Sequence, residues 1–95
     1  VGGKDLKRIE KLLRFPPDFS FKDLEKILEF FGFRKKEGTR GSHNIFILVK
    51  PRKDVHYETD QITVPTIKGR KVKKEYLKMI AKYLHLEEWY ERNKK

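Results

Sequence analysis

Ser42-His43-Asn44-Ile45-Phe46-Ile47-Leu48-Val49 decides the fold. The stretch is rich in β-branched and aromatic side chains and holds no glycine or proline, the composition of a strand. Successive strand side chains point to opposite faces. One face is therefore His43, Ile45, Ile47 and Val49; the other is Ser42, Asn44, Phe46 and Leu48. Both are largely apolar after Asn44, which predicts a central strand in a small sheet. Upstream, Phe33 to Lys36 reads as a short strand and Glu37 to Gly41 as a turn, with Gly38 and Gly41 supplying backbone freedom. Downstream, Pro51 to Asp60 reads as a polar connection and Gln61 to Val64 as a third strand stopped by Pro65. Short links between successive strands predict an antiparallel meander.

Helices lie on either side of this sheet in the chain. Leu6, Ile9 and Leu13 recur at helical spacing, Leu12 widens the stripe, and Pro16 and Pro17 end a first helix over 4–14. Ser20 followed by Asp23, with Phe19 and Leu24 at the two hydrophobic-staple positions, starts a second. Leu24, Ile27, Leu28 and Phe31 continue it to Gly32. Residues 66–71 read as a loop. Leu77, Ile80, Ala81 and Leu84 define a helix over 73–84, and Leu86 to Asn93 a short extra helix carrying Trp89 and Tyr90. The expected class is α+β, a three-stranded antiparallel sheet with helices on one face. The opposite face is left open for a ligand.

The chain has 95 residues, a formal net charge of +10 and no cysteine. That length supports one small domain. The missing cysteines exclude a disulfide framework, a thiolate metal site and a cysteine nucleophile. No apolar run approaches the roughly 20 residues that span a bilayer, and no signal-peptide pattern opens the chain. A cytoplasmic location is expected. Residues 61–82 carry 7 basic side chains against 1 acidic, more than half of the net charge. The basic block is Lys68, Arg70, Lys71, Lys73 and Lys74, with Lys78 and Lys82 beyond. Such a field favours a polyanion, either nucleic acid or an acidic protein, although a merely solubilising surface has the same composition. Lys73 and Lys74 fall at a helix start, where the dipole disfavours cations but free amides attract phosphate.

Three histidines, His43, His56 and His85, are the candidates for chemistry. No two have the spacing of a metal motif, so no metal or other cofactor is expected. Phosphate-loop and nucleophile-elbow patterns are absent. His56 reads as a surface residue in the polar connection. His85 reads as structural, its charged form favoured by a helix C-terminus. His43 follows Gly41-Ser42 beside Arg40, at a turn-to-strand boundary. An imidazole there can move a proton at neutral pH. On RNA it can activate a 2′-hydroxyl against the adjacent phosphate, with nearby Arg and Lys stabilising the developing charge. A strand histidine held for structural reasons fits the same residues.

Gly41-Ser42-His43-Asn44-Ile45-Phe46, then Ile62-Thr63-Val64-Pro65, then Lys68-Gly69-Arg70-Lys71-Val72-Lys73 and a helix with Leu77, Ile80 and Ala81 together resemble the HicA family of toxin ribonucleases. The likeness covers about residues 20–86 and extends to the lead-in Phe15 to Asp18. It implies a double-stranded-RNA-binding-like fold, with 20–86 as the core and 4–17 as an N-terminal helical extension within a single domain over 1–95. It also implies an mRNA interferase, an endoribonuclease toxin of a toxin–antitoxin system that acts in stress response without a metal. A HicB-type antitoxin would neutralise it. By motif the essential histidine is His43. Arg40, Ser42, Lys68, Arg70, Lys71, Lys73 and Lys74 would bind RNA. The family commonly carries a second histidine after the valine-proline, where this chain has Thr66-Ile67. The competing readings are a non-catalytic RNA- or DNA-binding domain and a subunit whose basic face docks an acidic protein.

Overall fold

The computed structural model describes residues 2–37, 43–68 and 70–94. Helix α1 (Gly3–Leu13) is followed by a short strand β1 (Phe19–Ser20) and helix α2 (Phe21–Phe30). Strands β2 (Phe33–Lys35), β3 (His43–Leu48) and β4 (Gln61–Pro65) come next. A short strand β5 (Lys71–Val72), helix α3 (Lys74–Tyr83) and helix α4 (Leu86–Asn93) complete the chain. The class is α+β. β2, β3 and β4 form an antiparallel sheet with β3 in the centre, flanked by helices. Each expected helix and strand is present to within a residue or two.

Local chemistry explains where α2 starts and stops. Ser20 Oγ accepts the Asp23 backbone N–H at 3.4 Å, and both staple residues, Phe19 and Leu24, are buried. At the other end Gly32 has φ +94, a conformation that glycine adopts without penalty. A Cβ there would lie 1.9 Å from the Lys50 carbonyl oxygen. The Gly32 carbonyl accepts N–H bonds from Val49 at 2.9 Å and Lys50 at 3.0 Å. The end of α2 is thereby fixed to the end of β3.

The core lies between sheet and helices. Phe33, Phe46, Ile62 and Val64 come from the sheet, and Leu24, Ile27, Leu28, Leu77 and Ile80 from α2 and α3, all buried. Ile9 and Leu12 put α1 into the same core. Each such side chain contributes about 1.5–3 kcal/mol of burial free energy. The N-terminal helix thus packs as part of the body, and Tyr90 of α4 donates to Glu10 of α1 at 2.9 Å.

Two features differ from the sequence reading. β1 and β5 pair antiparallel, Phe19 opposite Val72 and Ser20 opposite Lys71, and Ile67 bridges Lys71 in what was expected to be a loop. The pairing joins residues about 50 apart in the chain, so neither partner shows a local strand signal.

The other difference is the connection 51–60, which is tied down rather than merely polar. Tyr57 Oη donates to the Phe31 carbonyl at 2.5 Å, and the Glu58 N–H to the Tyr83 carbonyl at 2.8 Å. Asp54 accepts from Arg52 Nε at 3.0 Å and from Trp89 Nε1 at 3.0 Å. Trp89 is fully buried, edge-on to Phe30 and Phe31 with ring centroids 5.7 and 5.1 Å away.

Burial pushes the Asp54 pKa up, but the Arg52 and Trp89 hydrogen bonds outweigh it and hold the carboxyl below its ordinary value of 3.8. A carboxylate held low adds its stability in full above the ordinary value and loses it as pH falls through the folded one. The Asp54 contribution should therefore be constant at neutral pH and begin to fall below about pH 4. Asp54→Asn should lower Tm at pH 7 and flatten the acid limb of unfolding, followed by the fluorescence of Trp89. Parallel acid profiles for variant and parent would contradict this.

Candidate functional site

His43 opens β3, exposed, opposite Pro65 at the end of β4. Residues paired across an antiparallel ladder share a face. His43 therefore stands with Pro65, Ile45 with Thr63, and Ile47 with Gln61 and Arg34, on the face turned away from Phe46 and the core. The next residue, Asn44, points inward and is buried. Its Nδ2 donates to the Val64 carbonyl at 3.1 Å. This bond ties the start of β3 to β4 on the face opposite His43.

The basic residues gather at the same end of the sheet. The chain leaves β4 at Pro65 and turns at once, with Ile67 and Lys71 exchanging backbone bonds of 2.9 and 3.3 Å. Lys68 is exposed in that turn. Arg70 has φ +55, and its carbonyl accepts the Phe21 N–H at 3.0 Å. Its guanidinium lies over the Phe21 ring at 4.7 Å, and Lys35 Nζ approaches the same ring at 5.6 Å. Ser20, Phe21, Lys22, Glu25, Arg70 and Lys71 line one groove at the start of α2. Phe21 packs 6.1 Å from the inward-facing Phe46 ring. The Arg70 guanidinium thus belongs to the helix layer at the sheet's end, while His43 faces outward from the sheet. Lys73 and Lys74 are exposed at the start of α3, where Lys73 is the N-cap and no side chain caps the helix. Arg40 and Ser42, together with Gly41 and Gly69, lie outside the described residues.

Lys35 is a cation of this region that the sequence reading misses. Its one signal is position: it shares a strand face with Phe33 and is paired with Phe46. An apolar stem with a cationic tip at a sheet end reaches outward along the neighbouring aromatic ring.

The other two histidines are brought together. His85 Nε2 lies 2.8 Å from Glu58 Oε2, and His56 Nε2 lies 3.7 Å from the same oxygen. The hydrogen bond with Glu58 raises the His85 pKa, and the same bond lowers that of Glu58. His85 follows the end of α3 but is also the N-cap of α4, with φ +49. It stands at the C-terminal end of α3 as expected, and the Glu58 carboxylate supports its charged form. Sequence spacing gave these histidines no common site, and the fold corrects that. His56, Glu58 and His85 place one ligand atom each within 4.8 Å of one another. They are the one such cluster among the described residues, and His43 is not in it.

The family model described as "HicA toxin of bacterial toxin-antitoxin" matches residues 21–86. The match runs from the start of α2 through the sheet, the basic turn and α3, and the chain belongs to that family. No curated protein and no solved structure matches it. Among the described residues, no helix is long and apolar enough to cross a membrane.

Asn44 is the buried polar support nearest His43. Asn44→Ala should destabilise the fold by about 0.5–1.5 kcal/mol, because the buried side-chain bond to the Val64 carbonyl is lost. An unchanged midpoint in urea denaturation would show that this bond does not hold the start of β3.

Proposed function

We propose that this HicA-family chain is an endoribonuclease that cleaves mRNA with His43 as its proton-transfer group and needs no metal for the step. The observation that carries the reading is the position of His43: exposed, at the start of the central strand, within the family-matched segment and beside the basic turn. In the proposed reaction the 2′-oxygen of a ribose attacks the adjacent phosphorus and the bond to the 5′-oxygen breaks. The products are a 2′,3′-cyclic phosphate and a free 5′-hydroxyl. His43 takes the 2′-hydroxyl proton, or gives a proton to the leaving 5′-oxygen, and water completes the balance. Arg40, Ser42, Lys68, Arg70, Lys71, Lys73 and Lys74 hold the RNA backbone in this reading. Lys35 joins them through its place beside Arg70. A HicB-type antitoxin is the proposed protein partner, and the cytoplasm the proposed site of action.

A second reading, RNA binding without cleavage, is favoured by one specific observation. Ile67 occupies the region where the family commonly carries a second histidine, and it is 43% exposed. The surface is present there but the imidazole is not.

One assay separates the two. Purified parent and His43→Ala are incubated with mRNA in chelator, with folding checked by circular dichroism. The parent should cleave and the variant should be slower by about 100-fold or more, the usual loss for a general acid or base. Comparable cleavage by both removes His43 from the chemistry. Binding without cleavage by the parent selects the second reading.

Arg70 gives an independent test of how the RNA backbone is held. Its φ of +55 suits glycine better than arginine, so Arg70→Gly should leave Tm within a few degrees of the parent. RNA affinity should fall, and the dependence of log K on log salt should become shallower by about 0.7 for each phosphate that is no longer neutralised. An unchanged salt slope would place Arg70 outside the RNA path.

A further inference from the structure

We infer that His56, Glu58 and His85 form a binding site for a divalent transition-metal ion of the zinc type, separate from His43. Two imidazoles and one carboxylate are a ligand set that suits zinc and leaves a fourth position for water. Magnesium and calcium prefer all-oxygen sites, which this is not.

The geometry is close to what coordination requires. Metal–ligand bonds of about 2.0–2.1 Å put neighbouring ligand atoms of a tetrahedral site about 3.3 Å apart. His56 Nε2 is 3.7 Å from Glu58 Oε2, and His85 Nε2 is 2.8 Å from it. The three ligand atoms fall within 4.8 Å, and the two rings stand with centroids 4.9 Å apart. Rotations of exposed side chains suffice to close the set.

The backbone prepares this arrangement without help from the ligands. His56 and Glu58 are two residues apart in a segment with no helical turn, and both reach toward His85. The Glu58 N–H bond to the Tyr83 carbonyl, at 2.8 Å, holds that segment against the junction of α3 and α4. His85 sits in that junction in a left-handed conformation, uncommon for a residue with a Cβ. Its other ring nitrogen, Nδ1, lies 3.6 Å from Glu88 Oε1. A carboxylate behind the non-ligating nitrogen is the arrangement that orients metal-bound histidines and raises their basicity. The ion would fasten the connection after β3 to the last two helices, away from the start of β3 where His43 stands.

The test uses the full chain freed of any histidine tag. Co2+ is titrated and its visible absorption followed, and Zn2+ is then measured by competition. The parent should bind one equivalent, with absorption typical of a four-coordinate ion, and Zn2+ should raise Tm. His56→Ala, Glu58→Gln and His85→Asn should each weaken binding by about tenfold or more, at least the loss seen when only an outer partner is removed. Asparagine tolerates the left-handed backbone at 85, so that variant keeps the fold. His43→Ala should bind as the parent does. Parent binding no tighter than that of the His56→Ala, His85→Asn double variant would overturn the site. So would an equal loss in His43→Ala. Neither outcome bears on RNA cleavage, which is assayed in chelator.

Discussion

Gly32 is the constraint on which the rest of the structure depends. Its positive φ turns the chain from α2 into β2, and its carbonyl receives the last two N–H groups arriving from β3. The space beside its Cα is occupied by the Lys50 backbone. Helix and sheet therefore meet at a fixed distance and in one register. Register matters because strand side chains alternate with a period of two. A slip of one residue would turn Phe46 out to solvent and His43 in toward the core. The exposure of that imidazole is thus set about ten residues away in the chain, at a glycine.

The same end of the sheet gathers the cations. β4 finishes opposite His43 and runs directly into the turn that carries Lys68 and Arg70. The turn is then sewn to the start of α2 by the β1–β5 pair and by the Arg70 carbonyl. Phe21 receives Arg70 and Lys35 on its ring and packs against Phe46, so one aromatic side chain links the cationic groove to the core. This places a positive groove on the helix layer and a histidine on the sheet's outer face, at one end of the molecule.

Much of this was legible from local pattern. The helical spacing of Leu24, Ile27, Leu28 and Phe31, the Ser20 cap and the alternation within 43–48 each follow from nearest-neighbour chemistry, and each appears where expected. The central place of β3 was legible too, because a long apolar strand is an aggregation hazard at a sheet edge and is normally flanked by neighbours. The β1–β5 pair left no trace, since two-residue strands have no periodicity to detect. The connection 51–60 read as merely polar because its anchors, Tyr57 and Asp54, are polar at the tip and meet their distant partners, Phe31 and Trp89, through the fold.

By itself, then, the sequence determined the four helices, the three strands of the main sheet, their order, the histidine at the head of the central strand and the excess of charge at 61–82. Each depends on residues close together in the chain. Only the tertiary structure decided which layer each cation joins, how α1 and α4 close the core, and that His56 and His85 share a carboxylate. Those facts depend on contacts between segments tens of residues apart. The backbone bond from Glu58 to Tyr83 is the clearest case: it brings together histidines whose spacing in sequence matches no metal motif.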